Sequence, residues 1–414
     1  MLICVIHNNP FTSYSFTNLW LKQFNLNKSY AFGFIKQLSF YKPSALPIYI
    51  NLGRNLTKGI SYQIAKSTVA DLKSNAYLIY DVPKYFNINT TEAPKNLGLK
   101  KIPQYPGFLI TLKNYSNFNA YLNKTFSKSS NQKLNRYRNR LERCFNIKEK
   151  MLIGTIDKTE YDFIFNHFKT LLIKRFEDKQ ITNNNLNPEE WRFYQDVVYP
   201  LILENKAALH VIYNEDTPIS VRLLYFSDTI IFDAITVFDI DYAKFHLGKI
   251  SIMKMLEWSF NSPYEVFDFS KGYFDYKESW SDLKYDFEYH IYYNTKSLTA
   301  TLLANALAVV FKTKQYLRDK NINEKVHKLT FALNKKSKKT QINIEELNIE
   351  EHPYEQEMLR EVKLDQQLAF LNKPVFDFLF LNSMHFNDLK IYKLHSKNQY
   401  LIKGTNKSQL LAVK

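Results

Sequence analysis

The sequence predicts a mixed α/β fold built on a mixed sheet, and three observations predict it. Residues 207–294 read as a run of strands, then a helix, then two further strands. Two amphipathic helices, over 128–145 and 157–177, precede that run. Short candidate strands separated by polar Asn/Lys/Ser turns fill residues 1–120. With 414 residues and 45% hydrophobic content, the chain is long and apolar enough for more than one domain and a sizeable core.

The N-terminal strands are expected at Ala45–Asn51, Ala76–Tyr80 and Gly107–Thr111, with Pro43, Pro83, Pro94, Pro103 and Pro106 punctuating the connections. Pro47 lies inside the first of these, which predicts an edge strand or none. In 128–145, Leu134, Tyr137, Leu141 and Cys144/Phe145 make one apolar stripe. Lys133, Arg136, Arg140 and Arg143 flank that stripe, and Ser129 or Ser130 would cap the helix. In 157–177, Ile164, Phe165, Phe168, Leu171 and Leu172 share a face with Arg175, an arginine placed to reach a carboxylate at the core edge or an anionic substrate group.

Further on, Ala207–Tyr213, Ser220–Phe226 and Ile230–Phe238 read as strands joined by short turns. A helix is expected from Lys249 to Phe260 after Gly248, then a strand at Val266–Phe269. Lys284–Asn294 alternates strictly, with Tyr285, Phe287, Tyr289, Ile291 and Tyr293 on one side, so it reads as a half-buried strand. The tail holds a helix over Ser297–Asp319, a basic run Lys335–Lys339, an acidic run Glu345–Glu361 and an apolar segment near Phe376–Phe380, with no chemistry visible.

Charge is placed unevenly. Residues 1–150 carry 22 Lys/Arg against 5 Asp/Glu, a net of +17, while the remainder carries 34 against 35, a net of −1. Two readings stand: a well-solvated lysine-rich surface, or a partner with negative charge such as cofactor phosphates, nucleic acid or anionic lipid. Two cysteines, Cys4 and Cys144, build no disulfide framework and suit a reducing compartment. The N-terminus lacks a signal-peptide pattern, and the longest apolar run, Leu298–Phe311, is too short to span a bilayer. A cytoplasmic protein is expected, with attachment to a membrane surface left open and DNA not expected as a partner. Oligomeric state is not readable.

Two places invite a ligand. The helix over 128–145 presents Arg136 and Arg140 either to water or to a phosphate-bearing molecule. The helix beginning at Gly248 would offer backbone N–H groups and the positive end of its dipole, with Lys244, His246 and Lys249 beside it. This is not a P-loop, because Gly248-Lys249 lacks the earlier glycine and the following Ser/Thr. His167, His210, His246 and His290 lack metal-ligand spacing, no G-x-S-x-G elbow occurs, and no metal is expected.

The strongest local pattern is Phe267–Trp280, FDFSKGYFDYKESW. With Asp268-Phe269, Gly272 and the Tyr276-Lys277 pair, it resembles the CelD/BcsL-like GNAT acetyltransferases, relatives of the FemAB transferases. The Asn/Arg-rich helix at 128–145, Lys174-Arg175-Phe176 and the region Leu209–Ser251 extend the resemblance over roughly 115–294. Two departures stand out: Tyr273 occupies the position after the glycine where the family often has an acid, and the phosphate loop is reduced to Lys244–Gly248.

The resemblance implies a tandem GNAT-like fold: a basic, degenerate half at 1–145, an acyltransferase domain at 146–312, and a C-terminal extension at 313–414. It implies an N-acyltransferase that uses acetyl-CoA or another acyl-CoA as co-substrate and acts on an amino sugar or related cell-envelope or exopolysaccharide amine. Acyl transfer needs a base for the amine, donors for the carbonyl oxygen, and a proton for the thiolate. Asp268 and Asp275 are the candidates for base or amine anchor, and Asp233, in an otherwise apolar strand, is a second base candidate. Tyr276 is the candidate acid, and Lys277 the candidate holder of a carboxylate or phosphate. Arg175, Gly272, Arg136 and Arg140 complete the expected substrate contacts. Two rivals remain: aminoacyl transfer from charged tRNA, which the +17 excess would suit, and a non-catalytic binding protein on the same scaffold.

Overall fold

A computed structural model describes residues 6–26, 28–43, 45–65, 72–90, 92–320, 343–349, 359–395 and 398–414. The first part of the chain runs α1 (Tyr14–Gln23), β1 (Tyr30–Phe32), β2 (Ile35–Tyr41), β3 (Ile48–Asn51), β4 (Gln63–Ile64), β5 (Ala76–Pro83) and β6 (Leu97–Thr111). Next come α2 (Phe118–Thr125), α3 (Lys128–Cys144), β7 (Ile147–Leu152), α4 (Lys158–Lys179) and α5 (Pro188–Leu203). The middle follows with β8 (Ala207–Asn214), β9 (Thr217–Phe226), β10 (Ile230–Phe238), α6 (Leu247–Phe260), β11 (Val266–Lys271), α7 (Asp275–Trp280), β12 (Leu283–Asn294) and α8 (Leu298–Asp319). The tail adds β13 (Ile344–Leu347), β14 (Leu359–Val362), α9 (Asn372–Asn382), β15 (Lys390–Leu394), β16 (Gln399–Lys403) and β17 (Ser408–Val413).

The predicted mixed α/β architecture is present. One large mixed sheet has the order β1-β2-β3-β5-β12-β6-β11-β10-β9-β8-β7, with β4 pairing off β2. Two parallel pairs, β3–β5 and β10–β11, interrupt an otherwise antiparallel sheet. The strands that follow them are exchanged: β12 pairs with β5, and β6 pairs with β11. Because β6 also pairs with β12 over most of its length, it grows to 15 residues, far beyond the five at Gly107–Thr111 that the sequence suggested.

Alternation sends successive side chains to opposite faces. Ile230 and Phe232 join a core built with α1, α4, α5 and α8, while Ile231, Phe267 and Phe269 join one built with α2, α3 and α6. The helices start where local chemistry dictates. Ser127, rather than Ser129 or Ser130, caps α3 by accepting from Ser130 N at 3.3 Å. Asp157 caps α4 through Thr159 N and Glu160 N at 2.8 and 3.2 Å. Helix α5 was not anticipated, although Asn187 as cap, Pro188 in the first turn and Glu189 after it form a start signal.

Pro47 does not weaken the strand beside it. The strand begins one residue later, at Ile48, and lies between β2 and β5 inside the sheet, while the Pro47 carbonyl accepts from Ala76 N at 2.9 Å. The tail forms a second, antiparallel sheet, β13-β17-β16-β15-β14, that the sequence reading missed. Its apolar face and α9 cover the end of α3, the 239–246 loop and the start of α6 through Phe376, Leu379, Ile402 and Leu411. The Lys335–Lys339 run and most of the middle of the acidic run, at 350–358, lie outside the described residues. No helix among the described residues is long and apolar enough to cross a membrane.

Candidate active site

The site grows from the β10–β11 pair. The two strands are parallel only through Ile230↔Val266, Ile231↔Phe267 and Phe232↔Asp268. Beyond that point β10 continues along β9 to Phe238, while β11 continues along β6 to Lys271↔Gly107. A wedge therefore opens in the sheet. At its apex the register of β10 slips between Asp233 and Ile235, leaving Ala234 without a partner in the β9 ladder. A bulge of this kind leaves one residue's peptide groups out of the ladder.

The wedge opens toward the start of α6, because β10 and β11 run the same way and α6 follows β10 after a short 3-10 turn, Ile240–Phe245. The loop between them is pinned: Lys174 of α4 lies 2.5 Å from both Asp239 and Asp241. His246 adopts a left-handed conformation, φ 57°, and puts no side-chain cap on the helix, so the first N–H groups of α6 keep their donors. Gly248 sits inside the first turn rather than before it, and a Cβ there would meet the Phe238 ring at 2.6 Å. Its smallness therefore serves helix–strand packing.

Arg136, Tyr137 and Arg140 of α3, Lys244 and His246 of the loop, and Phe380 of α9 line a cavity of about 510 Å³. The structure thus brings together two sets of residues that the sequence offered separately, the basic helix and the pre-α6 loop. The Tyr137 and His246 rings lie 3.9 Å apart. Arg140 donates to the Phe380 carbonyl and its guanidinium lies 5.0 Å from the Phe380 ring centre. Lys244 lies 3.7 Å from Asp377. Burial, with Lys249 second, depresses the His246 pKa below its ordinary value, which favours the neutral ring at pH 7. Lys249 itself is exposed and does not line the cavity.

On the α6 side of the wedge, Asp233 receives Arg222 in a buried ion pair and the Thr236 hydroxyl at 2.8 Å. Arg222 is 1% exposed and also reaches Ser251 of α6 at 3.4 Å. Across the wedge Asp268 is fully buried, with Oδ2 accepting from Tyr85 and Tyr285 at 2.8 and 2.6 Å and Oδ1 from Ser270 N at 2.8 Å. Those three bonds occupy most of a carboxylate's four lone-pair positions. Burial outweighs the bonds and pushes its pKa up to about 6.

The turn after β11 is strained and braced. Ser270 has φ 60° and Gly272 φ 132°, the latter a region open to glycine and rare for other residues. Gly272 N donates to the Pro106 carbonyl at 2.9 Å. Lys277, 5% exposed, donates to the carbonyls of Ser270 and Lys271 at 3.2 and 3.0 Å, and burial lowers its pKa to about 8. Tyr276 is partly exposed, but its hydroxyl is desolvated and lies in the fields of Asp233, Arg222 and Arg175, with burial dominating and raising its pKa. Asp275 is exposed at the start of α7. Arg175 finds no carboxylate among the described residues: its guanidinium lies 4.5 Å from the Phe238 ring centre, and burial lowers its pKa.

The sequence reading did not name Arg222, Ala234, Lys271, Ser270 or Lys58 as site residues. Arg222 was legible as a charge in an apolar strand paired by register with Thr236, three residues from Asp233. Ala234 carried no signal. Among the described residues there is no group of three or more His, Cys, Asp or Glu arranged to hold a metal ion.

Residues 128–278 match the family described as the acetyltransferase (GNAT) domain. The matched stretch begins with α3 and ends within α7, so it contains both walls of the wedge and every residue lining the basic cavity except Phe380. The protein is an acyltransferase with a GNAT-like fold. No curated protein matches the chain. Among solved structures, it is similar to a conserved protein of unknown function from Bacteroides thetaiotaomicron, at 11% identity and TM-score 0.44, over 70% of this chain and 93% of that one. It is also similar to FemX, at 13% identity and TM-score 0.43, over 66% and 90%. A third is the C-terminal domain of a putative lysylphosphatidylglycerol synthetase from Agrobacterium fabrum, at 10% identity and TM-score 0.38, over 65% and 84%. Likeness this distant carries nothing about substrate or partner.

Proposed function

We propose that the protein is an acyl-CoA-dependent N-acyltransferase whose thioester lies in the β10–β11 wedge. The observation that carries the reading is the separation of that parallel pair beyond Phe232 and Asp268, at the end where α6 begins. The residues present fit the group. The uncapped α6 N-terminus and the cavity of Arg136, Arg140, Lys244 and His246 suit phosphates, and Ala234 at the wedge apex suits a carbonyl oxygen. Acyl-CoA, when bound, supplies an activated acyl carbon and a thiolate leaving group.

In this reading the acceptor nitrogen forms the new bond to the acyl carbon, the carbon–sulfur bond breaks, and the nitrogen loses a proton. Asp268, more basic than a solvated carboxylate yet ionised at neutral pH, takes that proton through the Tyr85 or Tyr285 hydroxyl. Tyr276, kept protonated by burial, supplies the proton that the thiolate needs. Arg222 pairs with Asp233 beneath α6, and Lys277 fixes the turn that carries Tyr276. Arg175, over the Phe238 ring with no counter-ion among the described residues, and the exposed Asp275 at the start of α7 contact the acceptor.

We assign residues 1–145 and 146–312 to the two halves and 313–414 to the extension. The acceptor is an amino sugar or a related cell-envelope amine, in keeping with the FDFSKGYFDYK motif. The net +17 over residues 1–150 favours charged tRNA as the second reading of the donor. Calorimetric titration with acetyl-CoA separates the two. Binding that Arg140→Ala weakens about tenfold, through loss of a charge-assisted contact, is expected. No acetyl-CoA binding by the wild type, with salt-sensitive tRNA retention on filters instead, would sink the CoA reading. Gly248→Glu is a poor probe, because any side chain at that position collides with Phe238.

A further inference from the structure

Lys58 lies in the connection between β3 and β4, next to Gly59, where a Cβ would meet the ring of Phe232, the last residue of β10 paired with β11, at 2.9 Å. It is 8% exposed and makes no hydrogen bond or ion pair among the described residues. An ammonium in that state is costly, since buried charges are normally paired. The groups around it are Lys271, Asp81, Lys277 and Glu190. Three of these are already engaged. Asp81 accepts from Lys271 at 2.6 Å and from the Thr57 hydroxyl at 2.9 Å. Lys277 is held by the Ser270 and Lys271 carbonyls. Only Glu190, half-buried in the first turn of α5, also lacks a partner among the described residues, and it lies in the field of Lys58 without pairing to it. Burial acts on both in the expected sense, lowering the Lys58 pKa to about 7 and raising that of Glu190. The Ser270 hydroxyl is buried without a hydrogen-bond partner as well.

One unpaired ammonium, one unpaired carboxylate and one unpaired hydroxyl are what a molecule with both charges would satisfy. We propose that Lys58, Ser270 and Glu190 form the acceptor subsite, and that the acceptor is an amine bearing a carboxylate or a phosphate. Lys58 and the Ser270 hydroxyl take the anionic group, and Glu190 faces the ammonium. The subsite lies on the α5 face of the sheet, the same face to which Asp268 projects and opposite the face carrying α6. The acceptor and the phosphates would then approach the wedge from opposite sides. The inference rests on the acyltransferase reading for the identity of the amine as acceptor, but the binding it predicts does not require acetyl-CoA.

The test is calorimetry on the full chain, without acetyl-CoA, using glucosamine, glucosamine 6-phosphate and muramic acid. Tenfold or tighter binding of either acidic amine over glucosamine is expected, and the better of the two tells phosphate from carboxylate. Lys58→Met should bring that ratio close to one while raising the thermal midpoint, because it removes an unpaired buried charge; a lysine with only a structural role would lower the midpoint. Glu190→Gln should weaken glucosamine 6-phosphate but leave glucose 6-phosphate, which has no amine, unchanged. Equal affinities for the three amines in the wild type, or an undiminished preference in Lys58→Met, would overturn the proposal. A parallel acetyl-CoA titration separates the failures. If the acidic amines bind and acetyl-CoA does not, the cofactor reading falls; if acetyl-CoA binds and glucosamine binds equally well, only the acceptor subsite falls.

Discussion

The β3–β5 and β10–β11 pairs begin alike and end differently. Each is a parallel pair of three register positions, reached from an antiparallel neighbour, and each is followed by a strand donated from the other half of the chain. Each outgoing strand bears a left-handed residue shortly after the last parallel pair, Asp81 at φ 61° and Ser270 at φ 60°. In the first half, however, the gap is plugged: Asn51, fully buried, accepts from Tyr80 N at 2.8 Å. In the second half nothing among the described residues bridges the strands at that level, and Ala234 is left out of the β9 ladder. The connections differ too. Both are followed by a 3-10 turn, but after β10 the turn leads into a 14-residue helix, α6, whereas after β3 the turn Arg54–Leu56 leads only to Lys58 and β4. The same strand arrangement thus gives a cleft in one half and a brace in the other. The braced half sends Lys58 and, from its β3–β4 connection, the Asn55 carbonyl that Lys271 bonds at 3.1 Å, toward the open half.

The largest effect should come from breaking the charge pair beneath the open wedge. Arg222→Met leaves Asp233 buried without its counter-ion and should cost about 3–5 kcal/mol in urea unfolding. Arg222→Met combined with Asp233→Leu should recover most of that. A single-mutant loss under about 1 kcal/mol would mean that water reaches the pair.

Asp268→Asn should come next, lowering kcat about a hundredfold, within the usual range for a positioned acid or base. In the wild type kcat/KM should fall as pH drops below about 6, and the Asn variant should lack that limb. Stability should move the other way. Folding raises this carboxyl from 3.8 to about 6, so its contribution to the folded state is present below 3.8 and lost as pH rises through about 6. A wild-type profile that is flat through that window would show that Asp268 only positions Tyr85 and Tyr285.

The smallest effect should lie in the braced half. Asn51→Ala removes the plug and strands the Tyr80 N–H, costing about 1–3 kcal/mol in thermal or urea unfolding. Acetyl-CoA affinity should not change. If it did, the two halves would be less independent than their topology implies.

Much of the second half was legible in order. Strand β10 was expected at its observed bounds, and α3, α4, α8 and β12 fall within a residue or two of the expected spans, because each carries a strong period of its own. The FDFSKGYFDYKESW pattern located the turn. The sequence did not announce the five-stranded tail sheet, whose strands are four to six residues long and gain their partners only through pairing with one another. Nor did it suggest that α9 would close the basic cavity through Phe380, since that contact joins residues 240 positions apart.

By itself, then, the sequence determined the helices and strands that carry a strong period of their own, where charge is concentrated, and which motif marks the turn after β11. These follow from local periodicity, capping and composition, which act over a few residues. The tertiary structure alone decided that β6 and β12 change places, that β10 and β11 part at Asp233, and that Lys58 ends buried and Glu190 half-buried with no partner among the described residues. Those outcomes depend on which distant backbone takes up each strand's hydrogen bonds, and on how much water the assembled layers exclude.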